Sequence, residues 1–269
     1  LGEIHETKGE EVPEEVKIRD IPENMEIVLK DVTFRYEGPR SPKVLDQISL
    51  TIPANKVTAV VGPSGSGKTT LLKLILGFYP VSEGEIRLGQ FLLDQYSMEA
   101  WRSRCGVVMQ DGFIFSDTIA GNIAVGEDNP DREKLHRAVT VAHIREFIEA
   151  LPLRYNTKIG QEGSGLSQGQ KQRILIARAV YKDPSFVFLD EATNALDAGN
   201  EKVIMGNMEE YFWGKTVVVV AHRLSTVKNA GLIVVLDKGK IVETGNHDEL
   251  TARKGFYYHL VKDQLELGL

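Results

Sequence analysis

The spacing of apolar positions changes along the chain, and each spacing predicts a different kind of element. Four short runs are almost continuously apolar, which is typical of central strands in a parallel sheet that are buried on both faces. These runs lie at residues 56–61, 186–189, 217–221 and 232–236. Residues 131–151 and 168–180 instead place apolar side chains at helical spacing. Strands and helices that alternate in this way predict an α/β fold around a mostly parallel sheet.

Shorter β-like stretches surround this core. They lie at residues 26–30, 32–36, 44–52, 84–93 and 106–109. The early ones predict an antiparallel β-subdomain, and a helical subdomain is expected at about 112–182. After residue 236, the turn Lys238-Gly239 predicts a hairpin with residues 240–244, and two short helices follow.

The first 24 residues differ from the rest of the chain. They are rich in Glu, contain Pro13 and Pro22, and show little amphipathic period. We therefore expect an acidic linker at 1–24 and a single folded domain at 25–269. Because the sequence starts with Leu1 rather than Met, we also expect it to be part of a longer chain.

Composition narrows the possible functions. The 269 residues are 42% hydrophobic and 26% charged, which predicts a folded, water-soluble protein. The net charge of -6 argues against nucleic acid as a partner. The single cysteine, Cys105, excludes an internal disulfide and is expected to be a small packing residue. No apolar run approaches the roughly 20 residues that span a bilayer.

A glycine-rich motif connects the strand at 56–61 to the helix that follows. It reads Gly62-Pro63-Ser64-Gly65-Ser66-Gly67-Lys68-Thr69. Such a loop points backbone N–H groups into one concavity, and the N-terminus of the helix adds positive charge, so it predicts a triphosphate site. Lys68 is expected to contact the β- and γ-phosphates, and Thr69 to ligate Mg²⁺. We call residues 62–69 the phosphate loop.

The apolar strand at 186–189 ends in two successive carboxylates, Asp190 and Glu191. Asp190 is expected to hold Mg²⁺ through water, and Glu191 to polarise the attacking water. Alone, such a pair could simply cap a following helix. Together with the phosphate loop, it predicts a nucleotide-hydrolysing site.

A third motif makes the family recognisable. Residues 166–170 follow the phosphate loop and precede Asp190, and we call them the signature segment. They read Leu166-Ser167-Gln168-Gly169-Gln170. In this order of motifs the chain resembles the ATP-binding domain of ABC transporters, with a P-loop NTPase core. The family commonly has glycine where Gln168 stands, so the loss of access to positive φ is expected to affect the local geometry.

The resemblance implies roles for further residues. Tyr36 would stack on adenine, Gln110 would sense Mg²⁺ and the attacking water, His222 would contact the γ-phosphate, and Asp197 would meet its counterpart across a dimer. The implied ATP-binding set is Tyr36, Gly62, Pro63, Ser64, Gly65, Ser66, Gly67, Lys68, Thr69 and Thr70. The implied metal set is Thr69, Gln110 and Asp190.

The resemblance also implies an assembly. Two copies would join head to tail, and each signature segment would act on the ATP of its partner. The segment Gly160-Gln161-Glu162-Gly163 and the residues Trp101 and Arg102 resemble the exporter branch. They imply a transmembrane domain upstream in the same polypeptide, with this ATPase at the cytoplasmic face of the cell membrane. The expected cargo is a peptide or bacteriocin, with a lipid or a drug as the alternative.

Two other classes fit less well. DNA-acting relatives with the same motifs insert a long coiled coil between them, whereas about 100 residues without heptads separate Lys68 from Leu166 here. A regulatory domain that binds ATP without hydrolysing it would be expected to lack Glu191 or His222. The sequence therefore predicts an active ATPase.

Overall fold

The structure is a computed structural model, and it describes residues 17–160, 165–221 and 227–266. Its central sheet has six strands in the order β10-β9-β3-β8-β7-β6. Their bounds are β3 Val57–Val61, β6 Cys105–Val108, β7 Phe186–Asp190, β8 Thr216–Val220, β9 Leu232–Asp237 and β10 Lys240–Gly245. All neighbouring pairs are parallel except β9 and β10, which form the predicted antiparallel hairpin. The mostly parallel core is therefore confirmed.

A second, antiparallel sheet has the order β2-β1-β4-β5. Its strands are β1 Ile27–Phe34, β2 Leu45–Ile52, β4 Glu83–Leu88 and β5 Phe91–Leu92. The two stretches expected at 26–30 and 32–36 form one strand, because β1 continues through a bulge at Asp31, which adopts φ 51°. The antiparallel subdomain is thus also confirmed.

Nine α-helices are assigned within the described ranges. They are α1 Lys68–Ile75, α2 Met98–Ser103, α3 Ile119–Ile123, α4 Arg132–Val141, α5 Arg145–Ala150, α6 Gln168–Tyr181, α7 Ala198–Tyr211, α8 His247–Arg253 and α9 Phe256–Glu266. Helices α3 to α6 fall inside the range expected for the helical subdomain. The continuous pattern at 131–151 is split into α4 and α5, since His143 takes a left-handed conformation with φ 49°.

The central sheet is buried on both faces, which explains its continuous apolar runs. One face carries Val187, Leu189 and Val219 into a cluster formed with the helical subdomain and α7. The other carries Phe188 and Val220 into a cluster with α1 and the antiparallel sheet. Successive residues of one strand thus pack into different cores. Because both faces of the sheet are buried, apolar and polar residues do not alternate along these strands.

The C-terminal part of the expected linker lies against the domain. Residues 1–16 are outside the described ranges, but Ile18 pairs with Tyr96 through a β-bridge and Ile21 is buried. Arg104 donates to the main-chain oxygen of Ile21 at 3.2 Å. Residues 17–24 are thereby attached to the helix α2 region. The assignment of residues 1–24 as a linker stays a prediction.

Within the described ranges, no helix combines the length and the apolar character that crossing a membrane requires. Cys105 is buried, its thiol donates to the main-chain oxygen of Trp101 at 3.2 Å, and burial raises the pKa of the thiol. The expectation that Cys105 is a packing residue is confirmed.

Candidate active site

The predicted site residues gather at one edge of the central sheet. Parallel strands end at the same edge, so the segments that follow β3, β8, β7 and β6 lie side by side. The phosphate loop follows β3, Glu191 follows β7, and Gln110 lies two residues beyond β6. His222 comes two residues after the end of β8 in the sequence and lies outside the described residues. Topology alone therefore places three of the predicted groups together.

The glycines at the two ends of the phosphate loop allow close backbone packing. Gly67 has φ 105°, and a Cβ there would stand 2.6 Å from Leu45 Cδ2. Gly62 has φ 150°, and a Cβ there would collide with the main-chain oxygen of Leu236. Both positions therefore require glycine for conformation and for space. The loop is fixed between β2 and β9.

Lys68 lies over the loop that it follows. Its Nζ donates to the main-chain oxygens of Gly62 at 2.9 Å and Pro63 at 2.8 Å. Burial lowers the pKa of Lys68, while the charges of Glu191 and Asp190 raise it. The ammonium group is thus within electrostatic reach of both carboxylates. One side of the phosphate loop carries a positive charge and the facing strand end carries two negative ones.

Several polar groups of the loop have no partner within the described chain. The hydroxyl of Ser66 is buried without a hydrogen bond. The N–H groups of Lys68 and Thr69 begin α1 without an acceptor among the described residues, and no acidic side chain occupies its first turn. Unpaired donors at the positive end of a helix are suited to bind phosphate oxygens. The residues present therefore fit a polyphosphate.

Asp190 is the last residue of β7 and is fully buried. Neither carboxylate oxygen has a hydrogen-bond partner within the described residues. Burial raises the pKa of Asp190, and the charge of Glu191 raises it further. The nearby Thr69 hydroxyl and the charge of Lys68 act in the opposite direction, although the hydroxyl does not reach hydrogen-bond geometry. A buried carboxylate facing a hydroxyl fits a divalent cation, which neutralises the charge.

The described residues contain no group of three or more His, Cys, Asp or Glu side chains that could hold a metal ion. Mg²⁺ is commonly bound through one or two protein groups together with substrate phosphates and water. Thr69 and Asp190 are two groups of this kind. Gln110, the third predicted ligand, lies in an exposed turn after β6.

Glu191 begins the turn after β7 with φ 52°, a conformation that is uncommon outside glycine. Its N–H donates to the main-chain oxygen of Val220 at 3.2 Å, which fixes the backbone between β7 and β8. The side-chain amide of Asn194 donates to Glu191 Oε2. Sequence analysis did not identify Asn194, although its position three residues after Glu191 is the signal that could have found it.

Tyr36 follows β1 and is 47% exposed. Its hydroxyl and that of Thr70 form a 3.0 Å hydrogen bond. Phe34 and Tyr79 contact its ring edge-on. The base-stacking residue expected from the sequence is therefore attached to the helix that carries Lys68, and part of its ring remains open.

The signature segment forms the start of α6. Ser167 is the N-cap: its hydroxyl accepts from the N–H of Gln170, and the Gln170 side chain accepts from the N–H of Ser167 at 2.8 Å. Gln168 occupies the first helical position, and its φ is not positive. The expected disturbance at Gln168 is therefore wrong, because the first turn of an α-helix does not require glycine.

The N–H groups of Gln168 and Gly169 have no acceptor among the described residues. Ser167 is exposed, so this helix end presents two free donors and a hydroxyl to the surface. Gly169 packs against the chain's own segment at 195–196, where a Cβ would stand 3.3 Å from the main-chain oxygen of Ala195.

Asp197 caps α7 and accepts from the N–H of Asn200 at 3.0 Å. This bond, and a second one from the Asn200 side chain, lower the pKa of Asp197. Burial lowers the pKa of Arg173 and the Asp197 charge raises it, so α6 and the exposed cap of α7 are electrostatic neighbours. The segment Gln161-Glu162-Gly163 lies outside the described residues.

Comparison with known proteins agrees with this geometry. The sequence profile of the family described as ABC transporter matches residues 45–194. The chain belongs to the ABC transporter family. Its ATP-binding-domain fold is shared with a solved structure described as a bacterial Atm1-family ABC exporter with ATP bound, at a TM-score of 0.88 and 35% identity over 94% of this chain and 44% of that one.

Among curated proteins, the ATP-dependent lipid A-core flippase of Haemophilus influenzae is 44% identical over 240 residues, which are 89% of this chain and 41% of the relative. The protein of the same description from Cupriavidus pinatubonensis is 43% identical over 243 residues, again 89% of this chain and 41% of the relative. The chain thus spans about two fifths of the curated relatives it matches.

Proposed function

We propose that this chain is the ATP-hydrolysing domain of an exporter, works as a head-to-tail dimer and powers the movement of a lipid across a membrane. The proposal rests on where the chemical groups of the site lie. The phosphate loop and both carboxylates gather at one edge of the central sheet, whereas the free donors of the signature segment lie at the exposed start of α6. A site divided in this way is completed by a second copy.

Binding would use the unpaired donors of the phosphate loop. The N–H groups at the start of α1 and the Lys68 ammonium would contact the phosphates, and the Tyr36 ring would contact the base. Thr69 and Asp190 would hold Mg²⁺, with water between Asp190 and the ion. When bound, Mg²⁺ supplies positive charge that offsets the charge on the phosphates.

Hydrolysis would depend on Glu191. Its carboxylate would accept a proton from the water that attacks the γ-phosphate, and Asn194 would keep the carboxylate oriented. Gln110 would help position that water, and His222 would contact the γ-phosphate. In the partner copy, Ser167 and the N–H groups of Gln168 and Gly169 would stabilise charge on the same phosphate.

The remaining parts of the proposal extend beyond this chain. Relatives more than twice as long are described as lipid flippases, so we assign the cargo to lipids rather than peptides or drugs. Residues 1–24 would connect domain 25–269 to a transmembrane domain upstream in the same polypeptide. The ATPase would then act at the cytoplasmic face of that membrane.

The molar mass in solution tests the assembly. The variant Glu191→Gln retains the shape of the carboxylate without its basicity, so ATP and Mg²⁺ should double its mass by light scattering. Adding Ser167→Arg should abolish the doubling. Adding Lys171→Arg, which keeps the charge four positions along the same helix, should not. A mass that stays monomeric in the Glu191→Gln chain at saturating ATP would contradict a dimer made by this domain alone.

A further inference from the structure

Tyr36 is fixed at three points although its side chain is half exposed. The hydroxyl is hydrogen-bonded to Thr70 Oγ1 at 3.0 Å. Phe34 meets the ring at a centroid distance of 4.8 Å and 84°, and Tyr79 meets it at 5.4 Å and 88°. Both geometries are the edge-to-face arrangement that aromatic pairs prefer.

The three contacts come from three different places in the chain. Phe34 ends β1, Thr70 lies in α1, and Tyr79 lies in the turn that follows α1. Thr70 is only two residues from Lys68. The bond between Tyr36 and Thr70 therefore fixes the distance between the exposed ring and the lysine of the phosphate loop.

A purely structural role does not explain this arrangement. A tyrosine that stabilises the core would bury its ring, as Tyr96 and Tyr257 do at 1% exposure, whereas Tyr36 is 47% exposed. The contacts order the ring while leaving part of it open to solvent. A ring that is already ordered loses little further conformational freedom when a ligand stacks on it, which favours binding.

We propose that Thr70 and Tyr79 are positioning residues that hold the ring of Tyr36 ready for the nucleotide base. This inference rests on the proposed function; it adds Tyr79 to the site and gives Thr70 and Tyr79 a physical role. Tyr79 acts through Tyr36 and follows the end of α1, whereas the phosphate loop leads into its start. Its contribution is therefore specific to ligands that carry a base.

Calorimetric titration of the 269-residue chain with MgATP and with inorganic tripolyphosphate tests this role. Tyr79→Ala should weaken ATP binding about three- to tenfold, the range expected for part of a stacking interaction, and leave tripolyphosphate binding within about twofold. Tyr79→Phe should restore ATP binding, because the Tyr79 hydroxyl has no hydrogen-bond partner among the described residues.

The hydroxyl contact has its own test. Tyr36→Phe keeps the ring but removes the bond to Thr70, so it should weaken ATP binding about threefold without affecting tripolyphosphate. In a Thr70→Val background, Tyr36→Phe should have no further effect, because the bond is already lost. This non-additivity would not arise if the ring merely stacked on the base.

Three results would overturn the inference: an equal loss of ATP and tripolyphosphate binding in Tyr79→Ala, unchanged ATP binding in Tyr79→Ala, or a neutral Tyr36→Phe. In each of these cases the unaltered chain still binds ATP, so the proposed nucleotide function survives. An unaltered chain that binds neither ligand would instead overturn the nucleotide function, and this inference with it.

Discussion

Arg178 donates through Nε to the main-chain oxygen of Asn122 at 2.8 Å and through Nη2 to Asn122 Oδ1 at 3.2 Å. The same guanidinium donates to the main-chain oxygen of Phe113 at 2.9 Å and lies 5.2 Å from the ring centroid of Phe115. Asn122 is fully buried. Arg178 thereby connects α6, the helix of the signature segment, to the loop that follows Gln110.

Replacing Arg178 with Met should therefore destabilise the chain. The change removes three hydrogen bonds, although Asn122 Oδ1 still accepts from the N–H of Phe115, and we expect a loss of about 2 kcal/mol in the free energy of unfolding in urea. Arg132→Met, which removes an exposed arginine from α4, should change stability by less than about 0.5 kcal/mol. Equal effects of the two changes would show that the Arg178 contacts add nothing to stability.

How far the sequence predicted this fold depended on burial. Strands such as β7 and β8 were identified because each of their apolar residues packs into one of two cores, so their apolar runs are unbroken. Helix α7 was missed: Gly199 and Gly206 interrupt its pattern, and tertiary packing rather than local propensity stabilises it. The separation of α4 from α5 was equally hidden, since a left-handed His143 leaves no apolar signature.

The candidate site followed the same rule. The phosphate loop and Asp190 could be identified because a short, contiguous motif specifies their chemistry. Arg178 and Tyr79 could not, since each contacts a residue that only the fold brings close. Asn194 was missed although it lies only three residues after Glu191, its hydrogen-bond partner. Gln168 was misjudged because a comparison of residue types does not show that its position is an ordinary first helical turn.

Gln168→Gly tests this interpretation of the signature segment. In a helix with ordinary φ, glycine costs backbone entropy, so the free energy of unfolding should fall by roughly 0.5–1 kcal/mol. Thermal unfolding of the nucleotide-free chain measures the change. Gln168→Ala removes the same side chain but does not add the backbone freedom of glycine, so it should lower the free energy of unfolding by less. A more stable Gln168→Gly chain would mean that Gln168 is strained.

Asp190→Asn should separate function from stability. Asp190 is fully buried and its oxygens have no hydrogen-bond partner among the described residues, so a neutral amide should raise the free energy of unfolding by about 1 kcal/mol in magnesium-free buffer. ATP turnover should fall about 10- to 100-fold, because the proposed partner of Mg²⁺, acting through water, is lost. Asp128→Asn, at an exposed position, should do neither. A less stable Asp190→Asn chain would contradict a cost of burying the carboxylate.

Glu191→Gln should leave ATP binding intact and reduce steady-state turnover about 10²- to 10⁴-fold, the usual contribution of a general base. The amide keeps the size of the side chain but accepts a proton poorly. Calorimetry would measure binding, and phosphate release would measure turnover. Glu210→Gln, on the exposed end of α7, is the matched control. Turnover near that of the unaltered chain would remove Glu191 from the role of base.

Asp131 should make stability depend on pH. It caps α4, and hydrogen bonds from the N–H groups of Lys134 and Glu133 lower the pKa of its carboxyl below the usual 3.8. The folded chain therefore binds this proton less readily than the unfolded chain, so the stabilisation is present above pH 3.8 and is lost as pH falls through the lowered value.

Asp131→Ala removes this cap, so its thermal midpoint should lie below that of the unaltered chain at pH 7, and the gap should narrow as both are measured at successively lower pH towards 3. Asp131→Asn keeps a capping oxygen without the charge and should fall between the two at pH 7. A gap between the unaltered chain and Asp131→Ala that stays constant down to pH 3 would show that the charge of Asp131 contributes nothing. A gap that widens would mean that folding raises the pKa of Asp131 rather than lowering it.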